Sequence, residues 1–352
     1  MSNNKILKTL ISIALLFLII LLFSKLHYIH NVLVIIFKAF FAPLIIAVFF
    51  FYLLKPLNDI FIKKGLKHSI AASLSLSIAI FIFLGAASIF GGYIIKEFKE
   101  IPKELTDIIN KENPINGIIN KLTKYIDITK FYKEFTNITK GYLQAIGSTF
   151  LLGIKLATNT FSNLFLILVI LFYLLMDGYK FKDAFLTLTP QKYRELASTT
   201  LSQSDGVLTS YVIGQSGVAL SLAIMIFIGY KIIGIPDALL LSSITFVLGF
   251  IPFVGFFISM IIPSIIAISM GLSMIIKLAI TFLIVQTLKG RVVVPAIMGS
   301  AMKIHPLTDI FLVIGAVAIG GPLAAFAAVP IYAVLKIFLV NLHKYNLTKK
   351  IS

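Results

Sequence analysis

Two aspartates stand in apolar surroundings where a carboxylate could bind an ion. Outside the stretch 96–157 the chain has seven acidic residues, Asp59, Asp177, Asp183, Glu195, Asp205, Asp237 and Asp309. Only Asp237 and Asp309 fall inside strongly apolar segments that proline and glycine interrupt. A carboxylate in such surroundings is costly and often couples ion or proton movement. Each aspartate also follows a proline by one to three residues, which equally suits a helix start stabilised by the helix dipole.

Two glutamines, Gln215 and Gln286, lie in the long apolar runs on either side of the first of these segments. An amide both donates and accepts hydrogen bonds, so it can bind a neutral polar solute such as a polyol. The same group can also join neighbouring helices within a membrane. The sequence fits both roles, and we take both glutamines as candidate substrate-binding residues.

Glycines and prolines interrupt the two apolar segments at matching intervals. Sixteen residues separate Pro236 from Pro252, and sixteen separate Pro306 from Pro322. The stretch before each break would form a helix about 22 Å long, too short for a hydrocarbon core of about 30 Å. Broken backbone is tolerated in a membrane only where protein or water covers it, so the breaks are candidate solute sites. The candidates are Gly249, Pro252 and Gly255 in the first segment and Gly320, Gly321 and Pro322 in the second.

The composition is typical of a membrane protein. Of the 352 residues 59% are hydrophobic, and the mean hydropathy is +1.02. Apolar runs of about 18 or more residues predict membrane spans. The predicted fold is therefore an all-α polytopic membrane protein with about eight membrane segments. They are spans at 6–24, 32–54, 69–95, 158–176, 207–233 and 273–289, and broken helical hairpins at 237–270 and 306–340.

Basic residues assign the two sides of the membrane. The net charge of +17 is explained by lysines in short cytoplasmic loops, so no nucleic-acid partner is predicted. An N-inside topology with two hairpins also places the basic cluster at 289–303 inside. The hairpins then enter from opposite faces, as an inverted repeat. Inverted repeats with broken helices are typical of secondary transporters.

This topology divides the chain into six regions. The stretch 96–157 has apolar residues at helical spacing and mixed charges, which predicts an extracellular amphipathic arm, either solvated or in contact with another subunit. The linker at 177–205 predicts an amphipathic helix on the cytoplasmic surface. The full division is N-terminal spans at 1–95, the arm at 96–157, span four at 158–176, the linker at 177–205, a transport core at 206–340 and a cytoplasmic tail at 341–352.

Catalytic motifs are missing from the sequence. It contains no cysteine, no HExxH pair, no GxSxG elbow and no Walker loop. We therefore predict no enzyme, no cofactor and no bound metal. Transport without ATP machinery would be driven by an ion gradient or by the gradient of the solute itself.

Several motifs resemble one family, the AI-2E transporters. They are YVIGQ (211–215), GIPDALLL (234–241), FIPFVG (250–255), VPAIMGSAMKIHP (294–306) and GGPLAAFAAVPIYAVLK (320–336). The resemblance covers nearly the whole chain. It implies about eight spans, export of autoinducer-2 and pentameric assembly. It also implies that sodium or lithium–proton antiport is an alternative activity, as for some members.

The expected function is export of a small polar signal molecule such as autoinducer-2 by alternating access, an elevator motion being one form of it. The first alternative is a Na⁺(Li⁺)/H⁺ antiporter that uses Asp237 or Asp309. The second is a structural membrane oligomer. The expected partners are a small polar solute or a monovalent cation, the lipid bilayer and copies of the same chain. The expected location is a bacterial plasma membrane, because the Lys- and Ile-rich composition suggests an AT-rich bacterial genome. The distribution of basic residues places both termini in the cytoplasm.

Overall fold

The computed structural model describes residues 27–110, 161–252, 254–298 and 304–351, with five single positions between 11 and 18. Within these residues the chain is helical and forms no β-strand. The helices are α1 (His27–Lys63), α2 (His68–Asn110), α3 (Phe161–Asp177), α4 (Lys180–Leu188), α5 (Arg194–Ile233), α6 (Ala238–Leu248), α7 (Val254–Ser259), α8 (Ile261–Ser269), α9 (Leu272–Leu288), α10 (Val294–Met298) and α11 (Pro306–Ile351). A 3₁₀ turn covers Gln191–Tyr193 and a π-helical turn covers Lys289–Val293.

Five helices of the described chain are long and apolar enough to cross a membrane. They cover Phe40–Lys63, His68–Tyr93, Gln191–Ile233, Leu272–Met298 and Leu307–Tyr345. A sixth crossing is available if Asn163–Asp177 and Lys180–Leu188 form one span bent by 83°. The prediction of an all-helical, multi-pass membrane protein is confirmed to this extent.

The other predicted segments either form short helices or lie wholly or partly outside the described residues. The segment 237–270 forms short apolar helices rather than one long helix. The predicted span at 6–24 lies largely outside the described residues. The predicted arm at 96–157 is described only as far as Asn110, where its first residues continue α2.

The helices α1, α2 and α3 pack into one bundle. Its core contains Ala47, Ala72 and Leu171, all buried. The amide of Asn58 lies at the centre, where its Nδ2 donates to the Leu175 carbonyl at 3.1 Å. A buried amide with such a partner ties α1 to α3, since leaving it unpaired would cost about 1–3 kcal/mol.

The 40-residue helix α5 is the central element of the second half. It packs against α6, α9 and α11, and also against α1 of the first bundle. Its buried face includes Leu222, Ile226 and Tyr230, which pack with Phe256 of α7. The Tyr230 hydroxyl lies 3.3 Å from Met260 Sδ, so the polar end of this buried ring also has a neighbour.

Two predicted boundaries fall inside longer helices. Hydropathy places a span at 207–233, whereas α5 begins at Arg194 and takes in the last part of the predicted linker. The proposed tail at 341–352 is helical as far as Ile351. Its Asn341 is buried and donates to Thr200 Oγ1 at 3.2 Å, so this part of α11 packs on the start of α5.

Candidate functional site

The first break in the apolar core is a tight turn between two helices. Helix α6 ends at Leu248, and α7 begins at Val254. The Gly255 amide donates to the Ile251 carbonyl at 3.1 Å, which closes the turn. The two helices come so close that a Cβ on Gly255 would lie 1.8 Å from the Leu248 carbonyl oxygen. Only glycine fits there without a movement of the backbone.

Gln215 of α5 hydrogen-bonds to this break directly. Its side-chain Nε2 donates to the Gly249 carbonyl at 2.6 Å, and Gln215 is buried. The end of a helix leaves carbonyls without intrahelical partners, and in an apolar region each needs another donor. The amide of Gln215 supplies one. Gln286, by contrast, is half-buried on α9, and the described residues offer its side-chain amide no hydrogen bond.

The second break lies within α11 at Gly321. Its φ of 69° and ψ of −159° are non-helical and belong to a region that essentially only glycine adopts. Pro322 follows directly, and it is exposed, as is Gly320. Val313 and Val329 lie eight residues before and after Gly321, yet both belong to the buried cluster around Tyr211.

Aromatic rings bring the two breaks together. Phe250 lies in the first break and Phe326 lies five residues after the second, and their ring centroids are 6.3 Å apart. Phe49 of α1 contacts both, at 5.3 Å from Phe250 and 4.8 Å from Phe326. The structure therefore places Phe250 and Gly249 at the first break near Phe326 after the second, in one region that α1 and α5 also border.

The two candidate aspartates are both half-buried and stand at the starts of different helices. Asp237 is half-buried in the left-handed conformation just before α6, with φ of 53°, and its side chain does not cap that helix. Asp309 is in the first turn of α11. Its Oδ1 is buried and has no hydrogen-bond partner among the described residues, and the same holds for the Tyr211 hydroxyl.

A cleft of about 550 Å³ opens beside the same helices. It is lined by Lys55, Pro56, Asp59, Ile60, Lys63, Gly206, Thr209 and Ser210. At its edge Lys55 Nζ forms an ion pair with Asp205 at 2.6 Å. Within the described residues no group of three or more His, Cys, Asp or Glu side chains could hold a metal ion.

The sequence of the whole chain decides its family. A profile of the AI-2E family transporters matches residues 7–344.

This chain belongs to the AI-2E transporter family.

Several relatives from bacteria have similar length and moderate identity. YueF of Bacillus subtilis is 27% identical over 340 residues, which cover 92% of this chain and 90% of YueF. YrrI of the same species is 27% identical over 317 residues, which cover 86% of this chain and 87% of YrrI. YhhT of Escherichia coli K12 is 22% identical over 310 residues, or 84% and 83% of the two chains. Their names give transport as an inferred role.

Family membership indicates that this AI-2E protein is a multi-pass membrane transporter.

Two side chains near the breaks were not among the candidate residues of the sequence analysis. Phe49 comes from the first bundle, some 200 residues before Phe250, and nothing in its local sequence pairs the two. Tyr211 had an available signal, because it lies four residues before Gln215 and therefore on the same face of α5.

Proposed function

We propose that this AI-2E protein is a secondary transporter that moves a small polar organic solute where its two helix breaks meet. The main support is the hydrogen bond from Gln215 to the Gly249 carbonyl. It shows that backbone freed by the first break is within reach of a side chain that can also hydrogen-bond a solute. Autoinducer-2 is the first solute to test, since the family is named for it, and export is the direction we propose.

We propose that both broken segments are helical hairpins. For the first, α6 and α7 pack against each other across a turn of a few residues. For the second, Val313 lies in the cluster with Tyr211, while Asn341 bonds to Thr200.

The lengths of these two stretches support a fold-back in α11. The 28 residues from Val313 to Asn341 would span about 42 Å as one straight helix. Their partners, Thr200 and Tyr211, are eleven residues apart on α5, about 16 Å. Both contacts are satisfied together if α11 reverses at Gly321.

The chemistry around the breaks suits a small, uncharged, polar molecule. The rings of Phe49, Phe250 and Phe326 offer flat apolar faces to a compact ring. The Gln215 amide and the carbonyls at the first break offer a few hydrogen-bonding groups. Mostly apolar walls with few placed polar groups are the usual composition of a small-molecule site.

Alternating access is the mechanism we propose, with the second half of the chain moving against the bundle of α1, α2 and α3. Inverted hairpins would then expose the site to one side at a time. The cleft near Lys55 and Asp205 would be the entrance on one side. We place that side in the cytoplasm of a bacterial cell, together with both termini, because the basic loops belong there. We also propose a homo-oligomer, a pentamer by family resemblance.

Flux through reconstituted protein tests this proposal. The full chain is placed in liposomes loaded with autoinducer-2, and release is followed with time against protein-free liposomes. We expect faster release with the wild-type protein and a loss of that release in Gln215→Leu. Release no faster than from protein-free liposomes, for autoinducer-2 and for small polyols alike, would overturn the proposal.

A further inference from the structure

Tyr211 of α5 lies at the point where the two breaks meet. Its side chain is 5% exposed and belongs to a buried cluster that includes Ala325, four residues after Gly321. Ile251, in the turn between α6 and α7, and Phe49 of α1 pack against the same cluster. The Tyr211 ring therefore has residues of both breaks around it.

The hydroxyl of this ring has no hydrogen-bond partner among the described residues. The other buried members of its cluster are the apolar residues Val212, Val313, Ala325 and Val329. A buried hydroxyl without a partner is costly, and a phenylalanine would fill the same space without that cost. A phenol in this place points to a partner that occupies the region only part of the time.

Two other buried hydroxyls on α5 provide a contrast. The Tyr230 hydroxyl lies 3.3 Å from Met260 Sδ, in a different cluster. The Ser204 hydroxyl is unpaired in the described chain, as that of Tyr211 is, but it lies seven residues earlier on α5, about 10 Å farther from Gln215. Tyr211 differs from both, because it combines an unpaired hydroxyl with a place beside the breaks.

We propose that the Tyr211 hydroxyl hydrogen-bonds the transported solute and selects neutral solutes that carry a hydroxyl group. A phenol both donates and accepts, so a hydroxyl, as in a polyol, can satisfy it in either sense. The inference rests on the proposed transport function and adds a specificity-determining residue to it.

The position of Tyr211 lets it act together with Gln215. The two residues are four apart on one face of α5, about 6 Å along the helix axis. A small solute bonded to the phenol is therefore within reach of the amide that holds the Gly249 carbonyl. Because the ring is buried, the solute reaches it only when α5 and the elements around it separate, as alternating access requires.

Thermal melting of the purified full chain in detergent tests the solute contact without a transport assay. Unfolding is followed by circular dichroism at increasing concentrations of autoinducer-2 and, separately, of erythritol. A ligand that binds the folded state raises the midpoint. We expect a rise for the wild-type protein with one of these solutes. In Tyr211→Phe the Kd derived from that rise should be about twofold to tenfold higher, the effect of losing one neutral hydrogen bond.

Two matched variants assign the effect to the Tyr211 hydroxyl. Tyr230→Phe removes the same atom elsewhere on α5, and Ser204→Ala removes an unpaired hydroxyl away from the breaks. Both should keep the wild-type response to the solute. The solute-free midpoint of Tyr211→Phe should be no lower than that of the wild-type protein, because the hydroxyl it removes stabilises nothing there.

Three results would overturn the inference. The first is a wild-type midpoint that responds to neither solute. The second is a response in Tyr211→Phe that equals the wild-type response. The third is an equal loss of response in Tyr211→Phe and Ser204→Ala.

Release from liposomes separates this inference from the proposed function. Release by the wild-type protein that is unchanged in Tyr211→Phe would contradict the solute contact while leaving transport intact. A midpoint that responds to the solute, and responds less in Tyr211→Phe, without release of either solute would contradict transport while leaving the solute contact intact.

Discussion

At the scale of single residues, the first break depends on two side-chain choices. Gln215 supplies a hydrogen-bond donor to the Gly249 carbonyl, and Gly255 lets α7 approach the Leu248 carbonyl at the end of α6. Both act on backbone oxygens in an apolar region. An apolar residue in place of Gln215 would leave the Gly249 carbonyl without its donor. Any side chain in place of Gly255 would clash with the Leu248 carbonyl oxygen.

Gln215→Leu should therefore destabilise the protein and stop solute release. The change leaves a buried carbonyl without its donor, which costs about 1–3 kcal/mol. Gln286→Leu is the matched control, since the described residues give that amide no hydrogen bond. Thermal melting by circular dichroism compares the two, and equal midpoints for both variants would contradict the role given to Gln215.

Gly255→Ala should be among the most damaging substitutions of the glycines that the structure describes. The new Cβ would lie 1.8 Å from the Leu248 carbonyl oxygen, so either α6 or α7 must move. Gly315→Ala in α11 is the control, because a Cβ there meets nothing within 4 Å. In a helix that change should stabilise by about 0.5–1 kcal/mol. Similar melting temperatures and similar solute release for both variants would show that α6 and α7 are not in close contact at Gly255.

The sequence indicated some of these residues and not others. Glycine and proline marked the breaks because their backbone chemistry is local. Gln215 stood out because an amide is rare in an apolar run. Phe49 was missed because it contacts Phe250 and Phe326 from a distant part of the chain. Tyr211 was missed although its place four residues before Gln215 puts it on the same face of α5. Gln286 also lies in a long apolar run, but α9 brings its amide to no hydrogen-bond partner among the described residues.

At the scale of elements, breaks were easier to predict than helix ends. Hydropathy placed the start of the fifth span at 207 and the end of the third at 95. The corresponding helices extend further, since α5 begins at Arg194 and α2 continues to Asn110. A helix does not stop where its sequence becomes polar, because its backbone hydrogen bonds continue outside the apolar layer. The positions of Gly249 and Gly321 were anticipated because a break needs a particular backbone.

Gly321→Ala should damage the second segment. A side chain at φ 69° and ψ −159° is strained by about 1–3 kcal/mol whatever space surrounds it. We expect a lower melting temperature and reduced solute release, while Gly315→Ala in the same helix leaves release near wild type and does not lower the melting temperature. If the two variants behave alike, the conformation at Gly321 is not needed for the fold-back.

At the scale of the whole molecule, α1 joins the two halves. It packs in the first bundle and also lies along α5, where Lys55 pairs with Asp205. Movement of one half against the other must change this contact. The local sequence could not indicate it, since 150 residues separate the two partners.

Asp205→Asn should change the rate of solute release more than it changes stability. The carboxylate is 48% exposed, and pairs with such exposure contribute at most about 1 kcal/mol. The reversed pair Lys55→Asp with Asp205→Lys should recover part of the rate. Asp177→Asn removes the exposed pair with Lys180 and serves as the control, with a wild-type rate expected. A larger change in rate for this control than for Asp205→Asn would contradict a role for the α1–α5 contact.

A reversible cross-link between the two breaks tests the central claim most directly. The sequence has no cysteine, so Phe250→Cys with Phe326→Cys introduces a single pair, at rings now 6.3 Å apart. Solute release from liposomes is measured after the two thiols are joined by a cross-linker whose spacer contains a disulfide, and again after that spacer is reduced. If the breaks form the transport site, release stops when the bond forms and returns when it is reduced. Unchanged release with the cross-link complete would contradict the claim that solute passes where the breaks meet.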